Sequence, residues 1–315
     1  MRIVFCGTPE FAVPSLERLA AEGGLAIAAV VTQPDRPRGR GQQVQSSPVK
    51  LKALELGLHV YQPEKLRSDS ALDFFKRTAP DAVVIIAYGQ IVPPALLEVA
   101  KFGWLNLHAS LLPKFRGAAP IQWAIAEGET KTGVTVMRID KGLDTGPTLS
   151  RVETAIGPDE TAPELMRRLA ELGAPLMADT LIKYARGEVH PVEQDHEHAS
   201  FAPIIKKEHG RISWPHPAQK VYDRLRGLQP WPGAYTSFRG QVCHLWGRPA
   251  SREKAASLGP APEGTIGQAE QQVLAACGGR TWLVIEEVQL EGRKRVSARD
   301  FANGARLAPG ERFGG

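Results

Sequence analysis

The residues best suited to chemistry are Asn106, His108 and Ser110, which put an amide, an imidazole and a hydroxyl on alternate positions near the end of the run Trp104 to Pro113. Alternate residues of a strand share a face, so Asn106 and His108 point one way while Leu105 and Leu107 are free to pack behind them. An amide donor beside an imidazolium is the pairing that an acyl-transfer oxyanion needs. A carboxylate follows in Gly142-Leu143-Asp144-Thr145-Gly146, whose flanking glycines permit a tight loop able to bring Asp144 back against the imidazole. Plainer readings stand beside these: a lone histidine after a buried strand is usually structural, and an aspartate between glycines is usually a turn residue.

Such groups need a scaffold, and the apolar runs Ile3 to Cys6, Ala26 to Val31, Ala82 to Ile86 and Trp104 to Leu107 read as buried parallel strands. Helical patterns lie between them at Ser15 to Glu22, Pro48 to Leu56 and Ser70 to Arg77. The alternation predicts an α/β, doubly wound, Rossmann-like sheet, with further strands at Thr132 to Ile139 and Thr148 to Ala155. A long helix over Thr161 to Arg186, with Leu165, Leu169, Leu172, Leu176 and Leu181 on roughly one face, closes this first domain. In open sheets of this kind a ligand lies beyond the carboxyl ends of the strands, where Tyr88-Gly89 and Asn106 to Pro113 fall. The turn after the first strand is Gly7-Thr8-Pro9-Glu10, not Gly-x-Gly-x-x-Gly, which disfavours a dinucleotide.

Residues 188–207 read as a linker, because Glu188 to Ala202 is polar and breaks the periodicity. His190, His196 and His198 in it could mimic a metal cluster, but the linker reading is favoured and no metal site is expected. After a short helix at Pro217 to Leu228, five strand-like segments recur between Ala234 and Gln289 and suggest a small β-barrel. The expected division is therefore residues 1–187, 188–207 and 208–315.

With 315 residues, 43% hydrophobic and 23% charged, the chain is an ordinary globular protein long enough for two cores. Its three cysteines, Cys6, Cys243 and Cys277, have no metal spacing and read as buried hydrophobes. The apolar run after Met1 reads as a first strand rather than a leader, and no stretch is long enough to cross a bilayer, so a cytoplasmic location without a membrane partner is expected. From Lys206 onward 17 Lys and Arg face 10 Asp and Glu, a charge of +7, whereas the preceding residues carry −2. A basic domain on a near-neutral body suggests a polyanionic partner, although charge alone does not separate tRNA from a nucleotide. In Asp35-Arg36-Pro37-Arg38-Gly39-Arg40-Gly41 the default is a solvated excursion, but three arginines on a Gly-hinged loop also suit phosphates and splayed bases.

Position for position, the Asn-x-His-x-Ser-Leu-Leu-Pro and Gly-Leu-Asp-Thr-Gly strings resemble the folate-dependent formyltransferases. The resemblance extends to Gly7-Thr8-Pro9-Glu10-Phe11-Ala12, Thr32-Gln33-Pro34-Asp35-Arg36-Pro37, Ala87-Tyr88-Gly89, Gly117-Ala118-Ala119-Pro120-Ile121-Gln122 and Pro230-Trp231-Pro232-Gly233-Ala234, nearly the whole chain. It implies an OB-like form for the barrel, with tRNA binding there, and transfer of the formyl group of 10-formyltetrahydrofolate to the α-amino group of initiator methionyl-tRNA. A relative acting on an amino-sugar nucleotide, or a noncatalytic RNA-binding protein on the same body, are the alternatives.

For such a reaction Asn106 and protonated His108 are assigned to the oxyanion, and Asp144 to holding His108 protonated and accepting the amine's proton; the resemblance implies the same roles. No covalent intermediate is needed, and Ser110 caps the turn into Leu111-Leu112-Pro113. By resemblance that segment contacts the pterin opposite the Ala87-Tyr88-Gly89 loop, making Tyr88, Gly89, Ser110, Leu111, Leu112 and Pro113 the cofactor contacts. Arg36, Arg38, Arg40, Lys206 and Lys207 are the expected tRNA contacts, Arg40 matching an arginine that tRNA-acting members insert at the acceptor end. Two departures stand out: Ile204 where the family commonly has Lys, with Lys206 where it has a small hydroxyl, and Ser213 in place of Asp in Arg211-Ile212-Ser213-Trp214. The enzyme is expected to act as a monomer.

Overall fold

Long β-branched runs bounded by glycine, proline and capping serines become the strands and helices of a mixed α/β architecture in the computed structural model, which describes residues 1–38 and 43–314. The chain forms two compact units, one comprising residues 1–120, 131–155 and 164–203, the other residues 121–130, 156–163 and 204 onward. The second unit thus takes up two stretches that sequence alone assigns to the first domain.

The strands of the first unit are β1 (Arg2–Gly7), β2 (Ala26–Val31), β3 (Arg36–Arg38), β4 (Gln43–Gln45), β5 (Val60–Tyr61), β6 (Ala82–Ile86), β7 (Trp104–His108), β8 (Arg116–Gly117), β9 (Lys131–Arg138), β10 (Thr148–Ala155) and β11 (Phe201–Ala202). Seven of them make one sheet in the order β10-β9-β7-β6-β1-β2-β5. The ladders from β5 to β7 are parallel, as expected of the doubly wound reading, while β9 and β10 are antiparallel additions at the β7 edge. Strand order reverses between β1 and β6, creating the crevice where such sheets bind ligands. Val4, Cys6, Phe75, Val83, Leu96 and Trp104 form the core on one side.

Serines cap the helices that fill the crossovers: Ser47 accepts from Lys50 N before α2 (Pro48–Glu55), and Ser68 from Ala71 N before α3 (Asp69–Thr78), the helix α1 (Val13–Ala20) having preceded them. The long helix, α4 (Ala162–Ala185), turns inward a face that coincides with the leucine stripe only in part. Leu165, Leu169 and Leu181 are buried as expected, but Ala174, Met177 and Ala178 take the inner positions and Leu172 and Leu176 are only half-buried. Proximity explains it: a Cβ on Gly173 would lie 2.5 Å from Leu107 Cδ2, so only small residues let the helix reach the back of β7.

The second unit carries β12 (Tyr235–Phe238), β13 (Gln241–Pro249), β14 (Ile266–Ala269), β15 (Gln272–Cys277), β16 (Thr281–Leu290) and β17 (Val296–Ser297). They form an antiparallel sheet in the order β12-β13-β16-β15-β14, with β17 also on β16. Its core gathers Trp214, Phe238, Leu245, Ile285, Val288, Phe301 and Phe313. The five expected segments are all strands; among the described residues no ladder joins the edges β12 and β14 into a closed barrel. Cys6, Cys243 and Cys277 are buried and unpaired, and burial pushes the thiols of Cys243 and Cys277 up to about 12. Among the described residues no helix is long and apolar enough to cross a membrane.

Candidate active site

Strand β7 places the first two groups as its alternation requires. Asn106 lies opposite Ile85 of β6 and Met137 of β9, and His108 opposite Thr135, while Leu105 and Leu107 are buried on the reverse face. The Asn106 amide is half-buried and has no hydrogen-bond partner among the described residues, leaving its donors to the site. His108 is buried, and its Nε2 lies 2.9 Å from the carbonyl oxygen of Phe115. A carbonyl only accepts, so Nε2 carries the proton in that contact. The other ring nitrogen, Nδ1, faces Asp144 Oδ2 at 3.6 Å.

Asp144 reaches that position from the loop between β9 and β10. Asp140 organises the loop, accepting from Gly142 N at 2.9 Å and from Thr145 Oγ1 at 2.7 Å. Asp144 itself is in the left-handed region at φ 51°, a conformation that Asp tolerates better than most residues. Its Oδ2 accepts from Gly117 N at 2.8 Å, so one oxygen serves both the backbone amide and the imidazole. Gly117 is required there: its φ is 118°, and a Cβ would lie 2.7 Å from Ala202 O.

The segment after His108 is braced from two directions. Thr135 Oγ1 donates to Ser110 O at 2.7 Å and accepts from Leu112 N at 3.3 Å, while Ser110 Oγ donates to Lys114 O at 2.6 Å. The Ser110 hydroxyl therefore closes the turn, as the sequence suggests. On the other side Phe115 N donates to Ser200 Oγ at 2.9 Å, Arg116 N to Ser200 O at 2.8 Å, and β8 pairs with β11. Residues 188–202 are thus structured where sequence reads a linker, because a two-residue strand and an isolated bridge between Thr148 and Val192 leave no periodic signal. Within this stretch Gln194 is buried beside Arg116, and neither stood out in the sequence. His196 accepts from Arg116 on its Nδ1 and His198 pairs with Asp195; among the described residues no group of His, Cys, Asp and Glu is arranged to hold a metal ion.

At the strand-order reversal lies a cleft of about 770 Å³, lined by Thr8 and Pro9 after β1, Gln33 and Pro34 after β2, and Ala87 to Ile91 after β6. Thr8 Oγ1 and Gln33 Nε2 both donate to Tyr88 O, at 3.0 and 3.1 Å, tying the three turns together. The Tyr88 ring points into the core, where burial raises its pKa, so only its backbone faces the cleft, with Gly89. Leu111 and Pro113 are half-buried, Ser110 and Leu112 buried, and none of these four lines this cleft. Arg36, Lys65 and Arg67 do line it, without an ion-pair partner among the described residues, whereas the Lys50 ammonium at 2.5 Å holds the Asp35 carboxyl below its usual range. Arg36 belongs to the short β3-β4 ladder; Arg40 lies outside the described residues, as does the side chain of Arg38. Lys206 and Lys207, in the second unit, are exposed, and Ile204 is an exposed apolar residue beside them.

The chain matches the formyl transferase family over residues 1–181 and the formyl transferase C-terminal domain over residues 204–306. It is 52% identical over 314 residues to the methionyl-tRNA formyltransferase of Solibacter usitatus, covering 100% of this chain and 99% of that protein. It is 50% identical to the one from Acidobacterium capsulatum, covering 100% of each. Among solved structures, the N-formyltransferase from Helicobacter canadensis, in complex with folinic acid and dTDP-3-aminofucose, shares the fold at a TM-score of 0.62 with 17% identity, covering 90% of this chain and 98% of that one. With both halves of the chain matched and full-length identity above half, the chain belongs to the methionyl-tRNA formyltransferase family and is a formyl transferase enzyme.

Proposed function

We propose that the protein transfers the formyl group of 10-formyltetrahydrofolate to the α-amino group of initiator methionyl-tRNA, using Asn106, His108 and Asp144. The observation that carries the reading is the convergence of Asp144 Oδ2 on His108 Nδ1, beside the unengaged Asn106 amide on the same strand face. The names of the close relatives support methionyl-tRNA as acceptor. A folate-type donor is supported by the family and by folate ligands in structures of the same fold.

The amine nitrogen attacks the formyl carbon, a C–N bond forms, and the carbonyl oxygen becomes an oxyanion. Asn106 donates to that oxygen, and so does His108 once Nε2 turns or shares its proton away from Phe115 O. Asp144 balances the imidazolium and takes the proton that leaves the amine, directly or through water. Collapse breaks the bond to N10 of the folate, which takes up a proton and departs as tetrahydrofolate. An α-amino group titrates near about 7.7–8.0, so enough of it is unprotonated at neutral pH to attack without further activation.

Ser110, Leu111, Leu112 and Pro113 are the proposed pterin contacts, with the backbone of Tyr88 and Gly89. Arg36, Arg38, Arg40, Lys206 and Lys207 are the proposed tRNA contacts, and the cytoplasm the proposed location. The test is to incubate the purified protein with 10-formyltetrahydrofolate and methionyl initiator tRNA, then hydrolyse the ester and look for N-formylmethionine. Formylation of an amino-sugar nucleotide in place of the tRNA would refute the assignment.

A further inference from the structure

Asp144 sits on a loop whose tip is exposed, with Lys141, Gly142 and Leu143 open to solvent, yet its carboxylate must hold a fixed place against His108. The loop's own bonds, from Gly142 and Thr145 to Asp140, shape it without anchoring it to the strand that carries the imidazole. The anchor comes from the polar stretch that sequence reads as a linker. Gln194 Nε2 donates to Asp144 O at 2.9 Å and to Gly146 O at 2.7 Å, gripping the carbonyls on both sides of Thr145. Its Oε1 accepts from Arg116 Nη2 at 2.7 Å and Nε at 3.2 Å, so the amide is used at both ends. Arg116 and Gln194 are 4% and 7% exposed, which removes competing water from these bonds.

We infer that Gln194 is a positioning residue for formyl transfer, with Arg116 as its support: together they set the distance between Asp144 and His108. The inference rests on the proposed roles of those two residues. Arg116 stands between Phe115, whose carbonyl meets His108 Nε2, and Gly117, whose N–H meets Asp144 Oδ2. The guanidinium-amide bridge therefore connects the backbone that meets His108 at Phe115 and Asp144 at Gly117 to the backbone of the Asp144 loop. Phe115 is itself left-handed at φ 58°, a conformation that needs its surroundings to hold it. Cutting the bridge frees the Asp144 loop to drift relative to β7 while leaving the folate and tRNA contacts in place.

The test measures kcat and KM for both substrates in Gln194→Glu, in Asp144→Asn and in the double variant, with a thermal melt of each. Glu keeps the chain length and a partner for Arg116, but turns a carboxylate oxygen on the two carbonyls where the amide donated. Expected is a fall in kcat of about 100-fold, the size typical of an ångström-scale misplacement, with each KM within about threefold. On the Asp144→Asn background the same change should cost less than about threefold, since residues acting as one unit are not additive. A kcat near wild type in Gln194→Glu, a loss carried by KM, or an equal loss on both backgrounds overturns the inference. Where Gln194→Glu melts below the assay temperature, Gln194→Met, uncharged and similar in length, is judged by the same comparison. Wild-type turnover in Asp144→Asn refutes the role of Asp144 and this inference with it, whereas a slow Asp144→Asn beside a normal Gln194→Glu overturns the positioning role alone.

Discussion

Replacing Asp144 by Asn separates charge from shape at the proposed site. The asparagine oxygen can keep the 2.8 Å bond from Gly117 N and stay beside His108 Nδ1, so what disappears is the negative charge at 3.6 Å. Coulomb's law gives that charge about 4.6 kcal/mol of attraction for an imidazolium at an effective dielectric of ~20, and about 1.2 kcal/mol in bulk water. With side-chain exposures of 6% and 16% the pair lies nearer the first figure. At about 1.4 kcal/mol per decade this is a rate loss of roughly 100- to 2,000-fold if the imidazolium forms in the transition state. Loss of a proton acceptor is worth a similar factor by itself, about 10²–10⁴, and because both act through one carboxylate the two do not simply multiply. The assay is single-turnover formylation of methionyl initiator tRNA with saturating 10-formyltetrahydrofolate, alongside the tRNA and folate affinities. We expect a loss of about 1,000-fold in rate with affinities nearly unchanged. A rate within tenfold of wild type would refute the reasoning, because neither the counter-charge nor the proton acceptor could then be Asp144.

Asn106→Ala should slow transfer by on the order of 100-fold or more, the usual effect of losing one oxyanion donor; single-turnover rates at saturating substrates decide it, and a loss expressed only in KM speaks against an oxyanion role. Gly117→Ala should lower both stability and rate: the new Cβ would press on Ala202 O at 2.7 Å, and the φ of 118° costs alanine on the order of 1–3 kcal/mol. Thermal melts read the first effect, and an unshifted melt contradicts the packing argument. Affinity for tRNA should fall steeply between low and moderate salt while folate affinity changes little, since Arg36, Lys206 and Lys207 would displace counterions from phosphates. Filter binding across a salt series checks this, and parallel slopes for the two ligands argue against a phosphate interface.

Where each side chain depends on regular alternation, sequence reads the site well. Asn106 and His108 share the predicted face because β7 is a regular strand between two ladders, and strand periodicity leaves no other choice. The long helix is harder: apolar ranking selects Leu172 and Leu176, whereas the inner face is decided by how closely Gly173 must approach Leu107, a property of two elements together. Gln194 is harder still. It sits in an aperiodic polar stretch, and its significance comes from bonds to residues 48, 50 and 78 positions away, which no local pattern encodes. At Tyr88 the sequence names the residue but not which part of it faces the cleft: its ring completes the core and its carbonyl joins three turns.

Rigid and adjustable parts of the site follow from the same distinction. β7 is paired parallel with β6 and antiparallel with β9, so Asn106 and His108 are held on a strand flanked on both sides, and Thr135 of β9 anchors the turn that follows. The Asp144 loop has no such ladder. Its base is held by Ile139 N on Trp104 O and Arg138 N on Pro147 O, and around Asp144 it is held by the Gly117 N–H and the Gln194 amide. Substitutions on β7 or β9 should therefore damage folding and rate together, whereas substitutions along Arg116, Gln194 and the 140–146 loop should alter rate first. In the proposed mechanism the Asp144 carboxylate is needed only as the imidazolium forms and the amine loses its proton, so geometry held by a few polar bonds at the loop would matter mainly in the transition state.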